Sequence, residues 1–194
     1  MTISRDNYLK KLKDRYENGL IKIITGIKGC GKSYLLNVLF YDQLIKEGVP
    51  NDHIIRFAFD SADDLLSIEE DFEQINSNQK KVNARKFMSY IQARTKDNGL
   101  YYLLLDEVQN LDCFEMVLND YLRRNNMDIY VTGSNSKFLS SDVLTEFRGR
   151  GDEIQVLPLA FHEFYASYPK DKDYALDDYM IYGGLPCHHR YENR

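Results

Sequence analysis

A chain of 194 residues is long enough for one full domain and the start of a second. Its net charge of −5 gives no whole-chain electrostatic case for binding nucleic acid, although a local basic surface is compatible with it. No run approaches the roughly 20 apolar residues that span a bilayer, no signal-peptide core opens the chain, and the three widely spaced cysteines form no disulfide framework. We therefore expect a cytoplasmic protein with no membrane partner.

The chain opens with an amphipathic pattern that predicts a helix over residues 4–17. Tyr8, Leu9, Leu12 and Tyr16 share one side, and lysines and arginines surround them. A basic face of this kind can meet nucleic acid. A solvated lysine face on a helix that docks against the core is the preferred interpretation.

The next segment, residues 26–33, reads GIKGCGKS and fits the phosphate-loop pattern G-x-x-x-x-G-K-[ST]. An apolar strand precedes it and a helical pattern follows it, which is the order that this motif requires. Backbone N–H groups of the loop surround a β-phosphate, Lys32 reaches the β and γ oxygens, and Ser33 ligates Mg²⁺. The sequence therefore predicts a nucleoside triphosphate site. Its predicted nucleotide-binding residues are Gly26, Ile27, Lys28, Gly29, Cys30, Gly31, Lys32, Ser33 and Tyr34.

The rest of the chain alternates between strand and helix patterns. Strands are expected at 20–25, 53–59, 100–105, 128–132 and 153–157, and helices at 33–41, 84–96 and 113–124. The acidic residues 60–80 favour a solvated helix or insertion. Alternating strands and helices predict an α/β domain with right-handed crossovers.

Two carboxylates follow the apolar strand 100–105, in the arrangement called Walker B. Asp106 can hold Mg²⁺ with Ser33, and Glu107 can polarise a water for attack on the γ-phosphate. A lone Asp-Glu pair at a strand end is more often a cap or a solvated turn. The phosphate loop reverses that preference, so Glu107 and Lys32 are predicted catalytic residues.

Two further groups of polar residues are candidates for the same site. Ser134 follows the strand 128–132 and is predicted to sense the γ-phosphate, with Asn135 as the second choice; a polar turn that caps a short helix is nearly as good an explanation. Arg150 and Arg148 are candidates for an arginine that stabilises transition-state charge in this or a neighbouring subunit.

The cysteines and histidines carry weaker signals. The run Cys187-His188-His189 is disfavoured as a metal site, because adjacent residues converge poorly on one ion. Cys30 stands at a helix N-terminus beside Lys32, which would lower the pKa of its thiol and expose the loop to oxidation. A filler role in a variable loop position is preferred.

Together these segments resemble the prokaryotic AAA+ ATPases of the AAA_14 type, which often carry a DUF4143 C-terminal region. The similar stretches are the phosphate loop, LDEVQN at 105–110, VTGSNS at 131–136, Gly149-Arg150 followed by LPLAFHEF at 157–164, and YGGLP at 182–186. The resemblance implies an additional-strand P-loop core with the sheet order 5-1-4-3-2, ATP as the nucleotide, Ser134 as sensor and Arg150 as the arginine. It also implies ATP hydrolysis, an Mg²⁺ cofactor and a homo-oligomer as one possible state.

Family members continue past the YGGLP turn, so this chain looks truncated. We expect an ATPase core with its docking helix over residues 1–168 and the start of a shortened C-terminal helical region over 169–194. A low-turnover nucleotide switch or scaffold is the alternative to a hydrolysing ATPase. A small-molecule kinase is disfavoured by Glu107, and the protein or DNA partner that hydrolysis would serve stays open.

Overall fold

The chain forms a three-layer α/β domain around one parallel sheet. The structure, a computed structural model, describes residues 3–70, 80–133, 147, 149–168 and 171–186. The five strands are β1 (Ile21–Thr25), β2 (Ile54–Ala58), β3 (Tyr101–Asp106), β4 (Met127–Thr132) and β5 (Gly151–Gln155). Their order is β2-β3-β4-β1-β5, and every neighbouring pair is parallel. This confirms the predicted fold and the order 5-1-4-3-2.

Helices cover both faces of the sheet. They are α1 (Asp6–Lys13), α2 (Lys32–Tyr34), α3 (Tyr41–Lys46), α4 (Ala62–Ser67), α5 (Ala84–Arg94), α6 (Phe114–Leu122), α7 (Phe161–Ala166) and α8 (Lys172–Tyr182). A π-helical segment, Leu35–Phe40, joins α2 to α3. Within the described residues, no helix is long and apolar enough to cross a bilayer.

The central strands separate two hydrophobic cores because successive side chains of a strand point to opposite faces. On β3, Leu103 and Leu105 enter the core beneath α5 and α6, whereas Tyr102 and Leu104 enter the core that the α2–α3 helix and α1 cover. All six residues of β3 are buried. The apolar run 100–105 therefore behaves as predicted for a strand covered on both sides.

Several predicted boundaries were wrong. The first helix ends at Lys13, four residues before the predicted end at residue 17. The helical segment after the phosphate loop continues to Lys46 instead of ending near residue 41, because Leu44 extends its buried face. The last strand begins at Gly151, two residues earlier than predicted, and runs in register with β1 from Ile21 onward. A β-carbon at position 151 would lie 2.7 Å from Ile23 Cδ1, so any residue other than glycine would displace the Ile23 side chain.

The C-terminal helices form a small third core beside β5. Leu159, Phe164 and Ala175 are its buried members. The Tyr179 hydroxyl donates to the Leu159 carbonyl at 2.6 Å, and the Leu159 N–H donates to the Gly184 carbonyl at 2.7 Å. These bonds bring the turn at 183–186 back to the main sheet, where Leu185 packs against the core on the α2–α3 side.

Candidate nucleotide site

The phosphate loop leaves β1 at the carboxyl edge of the sheet. Gly26, Gly29 and Gly31 adopt φ values of 147°, 84° and 97°, which L side chains rarely adopt. A β-carbon at Gly26 would also lie 2.3 Å from the Val156 carbonyl oxygen. The loop shape therefore depends on these glycines, as expected of a backbone that wraps a phosphate group.

Lys32 is held inside this loop. Its side chain is 4% exposed, and its ammonium donates to the carbonyls of Gly26 at 2.9 Å and Ile27 at 3.1 Å. A buried ammonium bonded to loop carbonyls places a positive charge where a triphosphate would need one. The side chains of Ile27 and Lys28 are exposed to solvent, so these two predicted residues contribute to the loop through their backbone. Tyr34 is half-buried at the end of α2.

Cys30 lies on the inner side of the loop and is 1% exposed. Burial raises the pKa of its thiol, and the opposing influence of Lys32 is smaller. The disfavoured alternative of a lowered thiol pKa therefore does not hold, because desolvation outweighs the nearby positive charge. Cys30 is a small core residue beside Leu35 and Leu36.

Asp106 ends β3 next to the loop and is 4% exposed. It accepts hydrogen bonds from the Thr132 hydroxyl and from the Asn37 amide at 3.1 Å. Burial raises the pKa of the Asp106 carboxyl, and the nearby hydroxyls of Thr132 and Ser33 oppose that shift. The structure thus brings together the two predicted metal ligands, Ser33 and Asp106. Both offer oxygen atoms, the ligands that Mg²⁺ prefers.

Glu107 follows with φ at 53°, in the left-handed region. Its backbone N–H donates to the Thr132 hydroxyl at 3.0 Å, and the same hydroxyl donates to Asp106. One threonine at the end of β4 therefore fixes both Walker B residues. The sequence offers a signal for Thr132, a polar residue that ends an otherwise buried strand, although the predicted sensor is Ser134, two residues further along the chain.

Three more polar residues that the sequence analysis missed belong to this edge. Asn37 stands one helical turn beyond Ser33 and bonds Asp106. The Gln109 amide donates to Glu107. Partial burial raises the pKa of Asp60, which follows β2, and repulsion from Asp106 and Glu107 adds to the shift. Only the position of Asp60 after a strand marked it in the sequence.

Arg150 lies at the opposite end of the strands from the phosphate loop, beside the amino end of β1. It directly precedes β5, and its carbonyl accepts from Ile21 N–H at 2.8 Å, at the start of β1. The phosphate loop leaves the far end of β1, about 16 Å away for five residues at roughly 3.3 Å each. The Arg150 guanidinium instead donates to Asn119 at 2.9 Å. The structure therefore does not bring Arg150 to the loop of its own chain.

Several predicted residues lie outside the described residues. These are Ser134, Asn135, Arg148 and the run Cys187-His188-His189. The sensing role of Ser134 or Asn135 and the arginine role of Arg148 stay predictions, and the metal role that was disfavoured for the cysteine–histidine run is not tested.

The C-terminal turn is a further neighbour of the loop. A β-carbon at Gly31 would lie 3.8 Å from Cγ of Pro186, which is ordinary contact distance. Gly184 is held tightly, because a β-carbon there would be 2.2 Å from the Leu159 carbonyl oxygen. The YGGLP stretch thus connects α8 to the phosphate loop.

Comparison with known proteins agrees with this geometry. The profile of the AAA domain family AAA_14 matches residues 18–165. An uncharacterized protein of Haemophilus influenzae is 31% identical over 190 residues, and one of Methanocaldococcus jannaschii is 28% identical over 200. Each match covers 95% of this chain, but only 44% and 38% of those relatives. The chain therefore spans less than half the length of either curated relative.

Solved structures share the fold at low identity. A Walker-type ATPase of Pyrococcus abyssi superposes with a TM-score of 0.64 at 16% identity, over 95% of this chain and 65% of that one. The Caenorhabditis elegans protein PCH-2 gives 0.54 at 18%, over 82% and 43%. The Aeropyrum pernix ORC1 protein, solved in complex with DNA, gives 0.54 at 11%, over 92% and 50%.

Proposed function

Because the chain belongs to the AAA domain family AAA_14, we propose that it binds ATP with Mg²⁺ and hydrolyses it to ADP and phosphate. The observation that carries this proposal is the Thr132 hydroxyl, which donates to the Asp106 carboxylate and accepts from Glu107 N–H, so that both carboxylates are fixed at the end of β3 beside the phosphate loop. A metal-binding pair and a carboxylate suited to water activation therefore adjoin the phosphate loop. A kinase that transfers the phosphoryl group to a metabolite has no need of that carboxylate.

Each residue has one role in the proposed reaction. The N–H groups of the glycine loop bind the phosphates, and Lys32 donates to the β and γ oxygens in place of its present bonds to loop carbonyls. Ser33 and Asp106 would hold Mg²⁺, which neutralises developing charge on the phosphate oxygens when bound. Glu107 accepts the proton of the attacking water. Ser134 is proposed to sense the γ-phosphate.

The position of Arg150 supports a role in a neighbouring copy. It lies about 16 Å along the sheet from the loop of its own chain, counting five residues of β1 at roughly 3.3 Å each. We propose that it contacts the nucleotide of an adjacent subunit in a homo-oligomer, where its fixed positive charge stabilises the transition state. Residues 1–168 would form the ATPase core with its docking helix, and residues 169–194 the start of a C-terminal helical region.

The test measures Mg²⁺-dependent ATP binding and multiple-turnover hydrolysis by the 194-residue chain. Lys32→Ala should weaken ATP binding at least tenfold, whereas Glu107→Gln should retain binding and lower kcat about a hundredfold or more. Lys46→Ala and Glu115→Gln are matched controls that lie outside the proposed site and should leave both quantities unchanged. Equal turnover in Glu107→Gln would remove this residue from the mechanism.

A nucleotide switch of low turnover is the second proposed function. The contact between Pro186 and the loop at Gly31 favours it, because a change in the loop on nucleotide binding would reach α8 through that turn. Tight retention of ATP with less than one turnover per hour would support this alternative. Repeated turnover would support the hydrolase.

A further inference from the structure

The buried amide of Gln109 is attached to the proposed catalytic carboxylate. Its side-chain nitrogen donates to Oε2 of Glu107. Gln109 is only 9% exposed, and throughout the described part of the chain its Oε1 has no hydrogen-bond partner. A buried carbonyl oxygen without a partner destabilises a fold, so its presence calls for a compensating role.

The orientation of this amide follows from the charge of its neighbour. An ionised carboxylate only accepts hydrogen bonds, and of the two ends of the Gln109 amide only the nitrogen can donate. Exchanging the two ends would set an oxygen against the Glu107 oxygen and repel it. The unpaired oxygen is therefore a consequence of keeping the donor on Glu107.

The backbone that carries Gln109 is firmly anchored. It belongs to a single 3₁₀ turn, Val108–Asn110, in which Val108 is fully buried. Val82 holds the turn from both sides, since its N–H donates to the Asn110 carbonyl at 2.8 Å and its carbonyl accepts from Asp112 N–H at 2.9 Å. A donor on such a turn can restrain a neighbouring side chain without moving itself.

The backbone of Glu107 is fixed independently. Its φ of 53° and its N–H bond to Thr132 at 3.0 Å set where the side chain begins. The direction of the carboxylate at the end of that side chain is a separate matter, and the Gln109 amide restrains it. Small errors in the direction of a general base lower rates strongly, since a displacement of about 1 Å can lower a rate about a hundredfold.

We propose that Gln109 is a positioning residue that orients the Glu107 carboxylate for water activation. This inference rests on the proposed hydrolysis of ATP. Gln109 itself touches neither nucleotide nor water in this role. Its effect on the reaction passes entirely through Glu107.

The experiment compares wild-type chain with Gln109→Met, which keeps length and volume but removes both the donor and the unpaired oxygen. We expect kcat to fall between about tenfold and a hundredfold, with KM for ATP within about twofold and thermal stability no lower than in the wild type. Gln109→Glu, which preserves the shape and replaces the donor with a like charge, should lose at least as much kcat. Gln92→Met, at an exposed position on α5, is the matched control and should match the wild type.

A double-variant comparison shows whether the effect passes through Glu107. In a Glu107→Gln background, adding Gln109→Met should leave the residual kcat unchanged within about twofold, because residues that act as a unit are not additive. A further loss equal to that seen in the wild-type background would overturn the positioning role. So would a Gln109→Met variant whose kcat equals that of the wild type, or one whose kcat, KM and stability all worsen together.

Failure of the two proposals can be told apart. A wild-type chain that binds ATP but does not turn it over would overturn the proposed hydrolysis, and the positioning role with it. A wild-type chain that hydrolyses ATP and is unaffected by Gln109→Met and Gln109→Glu would overturn the positioning role alone.

Discussion

The buried ion pair of Lys22 and Asp128 offers a sharp test of what stabilises the sheet. Lys22 on β1 is fully buried, and its ammonium contacts the Asp128 carboxylate on β4, which is 3% exposed. Asp128 also accepts from the Tyr130 hydroxyl at 2.9 Å and from Glu17 N–H at 3.1 Å. The Lys22 ammonium donates to the Leu20 carbonyl at 3.1 Å as well. The pair lies near the amino ends of these strands, away from the phosphate loop.

We predict that Lys22→Met lowers the free energy of unfolding by about 3 kcal/mol. Removing one partner of a buried pair leaves an uncompensated charge and typically costs about 3–5 kcal/mol. The low end applies because two donors to Asp128 remain, and methionine refills most of the lysine volume. Out of a total stability of roughly 5–15 kcal/mol this is a large share, and it corresponds to a fall in Tm of about 6–12 °C.

Adding Asp128→Asn to Lys22→Met removes the buried charge and keeps an acceptor for Tyr130 or Glu17. This double variant should recover about 2 kcal/mol of the loss. The assay is urea unfolding followed by far-UV circular dichroism at pH 7, with equal m-values required across the series. A loss below about 1 kcal/mol in Lys22→Met, or no recovery in the double variant, would refute the argument that charge burial dominates.

Three further predictions concern other parts of the fold. Gly26→Ala should lower the free energy of unfolding by about 3 kcal/mol, because its β-carbon would lie 2.3 Å from a backbone oxygen. Gly48 also has a positive φ but has open space around it, so Gly48→Ala should lower the same quantity by only about 1 kcal/mol in the same urea assay. Burial raises the pKa of Tyr121 to about 12, so its phenol stays protonated in the fold after ionising in the unfolded chain, and stability should fall between about pH 10 and 12. Between pH 8 and pH 11 the free energy of unfolding of Tyr121→Phe should fall by about 1.4 kcal/mol less than that of the wild type. Equal losses in the two proteins would contradict the raised pKa of Tyr121. Mixing Arg150→Ala with Glu107→Gln, each nearly inactive alone, should restore ATP turnover if the arginine acts across subunits; a mixture as inactive as its components would exclude that role.

Much of the fold could be predicted from the sequence because its signals are local. The apolar runs identified all five strands, and the glycine spacing identified a loop whose φ values of 147°, 84° and 97° need those glycines. The proximity of Ser33 to Asp106 could also be anticipated, because the carboxyl ends of all strands in a parallel sheet lie at the same end of that sheet. The boundary errors at Lys46 and Gly151 arose where burial and pairing with a neighbouring strand, rather than local pattern, decide where an element begins or ends.

The amino-acid sequence by itself determined the family, the sheet and the residue types at the carboxyl edge. Tertiary structure alone decided which neighbours act on those residues. Thr132 and Asp60 are ordinary polar residues until chain crossovers bring their strand ends beside Asp106 and Glu107. Gln109 is one until the turn after β3 directs its amide back to Glu107. Cys30 illustrates the same point, since its pKa depends on desolvation that no local pattern reveals. Burial, hydrogen bonding and charge at a site are sums over residues distant in sequence, and only the folded chain defines them.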